Sequence, residues 1–349
     1  MTVTIKDVAK AAGVSVASVS RALNGHQSVT EGTRRRVREA AERLKYIPHG
    51  AARSLITRRT HAVGALLPDL HGAFFSELIR GIDLAARAHG LHLLLSSSHG
   101  SAQEAAAALQ SMRGRVDGLL VMSPHADDAF LRENLSPNLP SVLMNVRNGL
   151  GHQYTTLMPD NVGGARAMVE HLAACGHRRI AFIGGPAVNF DAQERLRGYM
   201  EGMASVLPDA TALSLEGDFT EESGHRMGRE ALKLSPSAIF CANDMMAIGC
   251  LSAIREAGLS VPQDVALAGF DDIPMARYLT PPLTTVHVAI AELGSSALTQ
   301  LAMAVESPDT YVVSEQTLPT ELVIRDSCGF RATSVPSPRG RPAPAITTA

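Results

Sequence analysis

From residue 61 onward, short apolar runs alternate with longer amphipathic stretches, and this alternation limits the fold more than any other feature of the chain. The runs include 62–67, 91–95, 118–122, 141–144, 180–183, 238–241 and 265–270. Between them, 76–89, 102–112, 162–175, 193–205 and 245–257 carry apolar residues at helical spacing. Continuous apolar strands separated by amphipathic helices imply parallel sheets covered by helices, because only a strand buried on both faces dispenses with polar alternation. Residues 61–330 are long enough for two such lobes.

The first 48 residues follow a different pattern. Ile5, Val8, Ala9 and Ala12 recur at i, i+3, i+4 and i+7, the buried face of a first helix. Thr4 with Asp7 three residues on fits an N-cap, and Gly13 a C-terminal stop. Ser15 caps a second helix whose inner face is Val19, Ala22 and Leu23. Val37, Ala40, Ala41 and Leu44 give a third helix its core face, and Pro48 closes the unit. Two helices joined by a tight glycine turn have helix-turn-helix form.

Charge sets this head apart from the rest. Residues 1–60 hold twelve Lys and Arg against four Asp and Glu, whereas the remainder holds twenty against thirty. A basic head on an acidic body suits phosphate binding by one small domain, and a solvated basic surface is the plainer alternative. On the second helix, Val16, Ala17, Ser20 and Arg21 fall opposite the core face. In a major groove, Arg21 can fork onto guanine, and Val16 and Ala17 can meet thymine methyls. Ser18, Ser20 and Asn24 can hold phosphates.

Other classes find little support. No apolar run approaches the ~18 residues of a membrane span, and residues 1–10 have no signal-peptide core. The cysteines Cys175, Cys241, Cys250 and Cys328 are scattered without metal-type spacing, which suggests reduced thiols in a cytoplasmic protein. Gly184-Gly185-Pro186 lacks the rest of a dinucleotide fingerprint, and no nucleophile elbow occurs. His125, Asp127 and Asp128 are expected in a solvated loop. No catalytic, cofactor or metal site is expected.

Residues 2–24 resemble the head of the lactose/galactose repressor (LacI/GalR) family. The resemblance continues through Thr33-Arg34-Arg35-Arg36-Val37, Tyr46-Ile47-Pro48 and Ala52-Arg53-Ser54-Leu55. It extends over most of residues 2–330, through Phe74-Phe75-Ser76-Glu77-Leu78, Gly176-His177-Arg178-Arg179-Ile180-Ala181, Asn243-Asp244-Met245, Gly269-Phe270-Asp271-Asp272, Pro281-Pro282-Leu283-Thr284-Thr285 and Arg325-Asp326-Ser327.

The resemblance implies that Val16, Ala17 and Arg21 read bases. It implies a hinge helix in which Leu55 wedges into the minor groove at the operator centre. Small residues there, Ala51 among them, let two such helices pack together. It also implies a body like the periplasmic sugar-binding proteins, with a ligand in the cleft outside the strand ends. Family ligand positions fall on Phe74, Asn145, Arg195, Phe219, Asn243 and Asp271, and Ser123 is added as a further cleft position. Amide, carboxylate, guanidinium and aromatic groups suit a polyhydroxylated ligand. Each also has a structural reading: Phe74 and Phe219 as core, Asn243 or Asp244 as a helix cap. Gly198-Tyr199 after Arg195 favours Arg195 over Arg197 as the ligand arginine. Asn145 stands where several relatives carry Asp, and Ile290 where one carries an aromatic, so ligand identity stays open.

The expected organisation is an all-α helix-turn-helix head over 1–48, a hinge over 49–60 and a two-lobed α/β body over 61–330. The N-lobe takes 61–159 and 289–319, the C-lobe 160–288 and 320–330. A Pro-rich tail of 331–349 is expected to be disordered. The expected function is repression of transcription by a homodimer on a pseudo-palindromic double-stranded operator, controlled by a sugar. A purine-type corepressor and a solute-binding protein without DNA are the alternatives.

Overall fold

The computed structural model describes residues 3–23, 28–46, 59–123, 127–146 and 153–329. The segments up to Ala62 and from Val63 on form separate compact units. Asn24, Ala51, Leu55, His125 and the 331–349 tail lie outside the described residues.

The head is three helices, α1 (Ile5–Ala12), α2 (Val16–Leu23) and α3 (Glu31–Arg43). Their apolar periodicity converges on Val8, Val19 and Val37, each fully buried among alanines. The Asp7 carboxylate accepts hydrogen bonds from the Thr4 backbone N–H and hydroxyl, both at 2.8 Å, which secures the start of α1 and holds the Asp7 pKa low. Gly13 ends α1 at φ 67°, a left-handed conformation that costs glycine little. Ser15 then caps α2, its hydroxyl accepting from Ser18 N at 3.1 Å.

The body holds two six-stranded sheets. The first runs β11-β5-β4-β3-β1-β2, from β1 (Ala62–Leu67), β2 (His92–Ser97), β3 (Gly118–Met122), β4 (Ser141–Met144), β5 (Thr155–Pro159) and β11 (Glu315–Leu318). The second runs β12-β10-β9-β8-β6-β7, from β6 (Ile180–Gly184), β7 (Leu213–Glu216), β8 (Ala238–Cys241), β9 (Ala266–Asp271), β10 (Thr284–His287) and β12 (Glu321–Val323). The β1–β3, β3–β4, β4–β5, β5–β11, β6–β7, β6–β8, β8–β9 and β9–β10 pairings are parallel, and that of β12 with β10 is antiparallel at the sheet edge. Strands β3, β4, β6, β8 and β9 are buried throughout, as their apolar runs require, and so is β5 despite its two threonines. The edge strands β7 and β11 alternate, which is why no apolar run marks them in the sequence.

Helices α4 (Ala73–Ala88), α5 (Ala102–Met112), α6 (Asp128–Asn134), α7 (Asn161–Ala174), α8 (Phe190–Val206), α9 (Glu221–Lys233), α10 (Asp244–Glu256) and α11 (Ile290–Glu306) cover the sheets. Three pairs pack closely: α4 with α11, α7 with α8, and α9 with α10. Glycines permit this approach. A Cβ on Gly81 would lie 2.0 Å from Ala291 O, one on Gly198 2.4 Å from Val162 O, and one on Gly249 1.9 Å from Glu221 O. Tyr199, fully buried on α8, ties two strands together by donating to Ile180 O at 2.9 Å and accepting from Leu213 N at 3.0 Å.

The chain crosses between the sheets three times, from β5 into α7, from β10 into α11, and from β11 into β12. One expectation is corrected here. Asp127 and Asp128 do not lie in a loop: Asp127 accepts from Phe130 N at 2.8 Å as the N-cap of α6, and Asp128 opens that helix. A short acid at the N-cap satisfies a donor that the helix leaves unpaired.

Candidate functional site

In the head, the outer face of α2 presents Val16, 41% exposed, beside Ala17 and Arg21, which are also exposed. The inner positions Val19 and Ala22 are buried, so an exposed apolar valine is not needed for the core. Ser18 and Ser20 are half-buried on the same helix, with the Ser18 hydroxyl 2.9 Å from that of Ser15. Arginines 34, 35, 36 and 38 crowd α3. Arg34 pairs with Glu31 at 3.3 Å and Arg35 with Glu39 at 3.8 Å.

In the body, the strand ends of both sheets border a cleft of about 420 Å³. Phe74, Phe75, Asp69 and Met122 line it from one lobe, and Asp191, Arg195, Phe219, Asn243 and Asp271 from the other. Five of the seven expected ligand residues therefore meet there. Ser123 and Asn145 are buried at the ends of β3 and β4 and are not among the lining residues. Asn145 acts one step behind the cleft, donating from Nδ2 to Asp191 Oδ2 at 3.0 Å.

Local backbone geometry places these groups. Asn145, Phe219 and Asp271 have φ of 51°, 71° and 105°, where a side chain other than glycine is strained. Asparagine tolerates this region, so the strain falls on Phe219 and Asp271, both of which line the cleft. Asn243 caps α10 by accepting from Met246 N at 2.9 Å, and its amide donates to Phe219 O at 3.0 Å. The capping and ligand readings of Asn243 are thus compatible, since one residue closes the helix and fixes the aromatic wall.

The floor is a buried charge network. Arg195, 4% exposed, donates from Nε to Asn161 Oδ1 at 2.8 Å and from Nη1 to Ala242 O. Its guanidinium lies 3.9 Å from the Phe270 ring centroid. Nη1 also stands 3.0 Å from Asp271 Oδ1, an ion pair with both side chains almost fully buried. Asn161 donates in turn to Asp191 Oδ1 at 2.9 Å.

Burial raises the pKa of three carboxyls here. Asp271 rises to about 6, opposed by the Arg195 charge. Asp191 rises for the same reason, opposed by Arg195 and by the amides of Asn145 and Asn161. Asp244 rises well above the ordinary carboxylate range through burial and then through the Asp271 charge. Thr285 Oγ1 at 2.6 Å and Ile273 N at 2.9 Å hold Asp244 in place. The floor therefore gathers three buried carboxyls and a single guanidinium.

Asp191, which lines the cleft, and Asn161, which holds Asp191 and Arg195 from behind it, are the principal residues that the sequence reading missed. Asp191 stands one turn before Arg195 on α8, and an acid and a base at i, i+4 near a helix start was the available signal. All four cysteines are free, as expected of reduced thiols, and the fold brings Cys175 and Cys328 to His171.

Residues 4–49 match the family described as bacterial regulatory proteins, lacI family, and residues 169–328 match the periplasmic binding protein-like domain. The ribose operon repressor of Escherichia coli K12 is 37% identical over 315 residues, covering 87% of this chain and 94% of its own. The HTH-type transcriptional repressor PurR of Proteus mirabilis is 36% identical over 303 residues, covering 85% and 89%. Among solved structures, the lac repressor dimer bound to operator and the anti-inducer ONPF superposes with a TM-score of 0.84 at 29% identity, covering 94% of this chain and 99% of that one. With a helix-turn-helix head, a two-lobed body and relatives matched over nearly their whole length, the chain belongs to the LacI family of bacterial transcription regulators.

Proposed function

We propose that the cleft takes a neutral polyhydroxylated ligand, a sugar or sugar derivative, and that its occupation sets the affinity of the head for a pseudo-palindromic double-stranded DNA operator. The observation that carries this reading is the floor itself. Asp191 and Asp271 flank one guanidinium, and Asp244 stands close to Asp271, so the floor offers carboxyl oxygens as acceptors. Hydroxyl donors would satisfy such acceptors, whereas an anionic ligand would add charge to a site already rich in carboxyl groups. Phe74 and Phe219 offer apolar faces to the C–H surface of a sugar ring.

The chain is a DNA-binding transcription regulator and not an enzyme. In the proposed mechanism two chains present two heads to two half-sites. Val16, Ala17 and Arg21 meet base edges, and Ser18, Ser20 and Asn24 meet phosphates. Ala51 and Leu55 belong to a hinge that contacts the operator centre. Ligand bridging the two lobes shifts the balance between their arrangements about the three crossovers. That shift moves the start of β1 at Ala62, and with it the hinge. Ser123 and Asn145 support the cleft from behind.

A purine-type corepressor is the second reading. The similarity to PurR and the aromatic pair Phe74 and Phe219, which could take a nucleobase, favour it. A binding titration of the full chain against ribose, related neutral sugars and nucleobases separates the two. Sugar binding supports the proposal, and exclusive nucleobase binding replaces it.

A further inference from the structure

Away from the cleft, His171, Cys175 and Cys328 converge, their ligand atoms all within 4.8 Å of one another. They are the one such group of three histidine, cysteine or acidic residues among the described residues. His171 and Cys175 share a face at the C-terminal end of α7, one turn apart. Cys328 arrives from the far end of the chain, in a 3-10 turn spanning Asp326–Cys328.

We infer that this cluster is a binding site for a zinc ion, with three protein ligands and a fourth position open to water. The argument is first one of size. His171 Nε2 lies 3.3 Å from Cys328 Sγ and 3.6 Å from Cys175 Sγ. Tetrahedral zinc with Zn–S of about 2.3 Å and Zn–N of about 2.0–2.1 Å requires S···N separations of about 3.5 Å. Both N···S separations thus already match edges of the coordination tetrahedron, and small side-chain shifts admit the ion. The chemistry agrees, since two thiols and an imidazole suit a borderline-soft d10 cation and poorly suit magnesium or calcium.

The surroundings hold the ligands in place. His177 Nε2 lies 3.1 Å from Cys328 O. Ser327, next to Cys328, accepts from Thr284 N at 2.8 Å and donates to Leu267 O at 2.6 Å, which fixes the turn to the second sheet. Outer contacts of this kind orient metal ligands. Cys328 is fully buried and Cys175 partly buried, so solvent approaches the cluster on the Cys175 side. A disulfide would join the two thiols and leave unexplained an imidazole placed against both. The ion would tie the C-terminal segment of the body to the end of α7.

The test uses the full-length, reduced chain. Zinc ions alone are titrated in competition with a chromogenic chelator, and Co2+ is substituted as a spectroscopic probe. The wild-type chain is expected to take up one zinc per chain, and Co2+ to show tetrahedral ligand-field bands with thiolate charge transfer. Cys175→Ser and His171→Gln are expected to weaken zinc binding at least 10-fold to 100-fold, the range for loss of a supporting contact. Cys250→Ala, away from the cluster, is expected to bind as wild type does. Absence of zinc uptake by the wild type, unchanged affinity in Cys175→Ser, or an octahedral Co2+ spectrum without charge transfer overturns the inference. So does a Cys175–Cys328 disulfide formed on mild oxidation of a chain that takes up no zinc when reduced.

Discussion

Arg195 and Asp271 meet at 3.0 Å in the cleft floor, both almost fully buried. The same guanidinium donates to Asn161 Oδ1 and to Ala242 O. One arginine therefore offsets a buried carboxyl while tying the start of α7 to the end of β8.

Removing the guanidinium should be severe. Arg195→Ala leaves the carboxyls of Asp191 and Asp271 buried with no compensating charge. Breaking a buried pair from one side typically costs about 3–5 kcal/mol. Urea unfolding of the body is expected to show a loss of this order. A change below about 1 kcal/mol, the typical worth of an exposed pair, would mean that the network is open to solvent.

The raised pKa of Asp271 sets a pH dependence with a definite sign. The folded chain titrates near about 6 against an ordinary value of 3.8, so between these values it holds a proton that the unfolded chain has released. This group's contribution to stability is full below the lower value and is lost as pH rises through about 6. The raised values of Asp191 and Asp244 act in the same direction. Asp271→Asn should flatten the difference in unfolding free energy between pH 5 and pH 7. It should also weaken the ligand at pH 7, where the wild-type carboxylate is ionised. An unchanged pH profile in the variant would assign the dependence to the other carboxyls.

Gly198→Ala should couple packing to binding. The new Cβ would lie 2.4 Å from Val162 O and 2.9 Å from Ala165 Cβ, pressing α8 away from α7. Asn161, next to Val162, would then shift from Arg195. Overpacking of this kind costs about 1–3 kcal/mol. Calorimetric ligand titration beside thermal unfolding is expected to show losses in both affinity and stability. A loss of stability with ligand affinity intact would show that α7 and the ligand site are independent.

In the head, Arg21→Ala should leave folding intact, because Arg21 is exposed and the α2 core contact is Val19 and Ala22. A bidentate arginine–guanine contact is worth about 1–3 kcal/mol of discrimination. Specific operator binding is expected to weaken by about 10-fold to 100-fold, with binding to random DNA much less changed. Equal losses on both DNAs would make Arg21 a phosphate contact.

The head was largely legible in the sequence, because the 3.6-residue period within each helix turns Val8, Val19 and Val37 toward a single core. The central strands were legible for a similar reason, as burial on both faces leaves unbroken runs such as Ile180–Gly184. The edge strands β7 and β11 were not, since half of each faces water. Phe74, Arg195, Phe219, Asn243 and Asp271 were identified by resemblance rather than by local pattern. Asp191 and Asn161 escaped because their importance lies in contacts across 30 positions of sequence. The pairing of His171 with Cys328, 157 positions apart, exists only once the second sheet has formed.

The central claim is that an acceptor-rich cleft for neutral sugars controls the DNA-reading head. An operator-binding titration of the full chain, with and without ribose and related neutral sugars, tests it most directly. The account predicts that at least one such sugar shifts operator affinity by about 10-fold or more, within the usual 1–3 kcal/mol of allosteric coupling, and that Asp271→Asn removes most of the shift. Operator binding indifferent to every neutral sugar, or a shift that survives in Asp271→Asn, would contradict it.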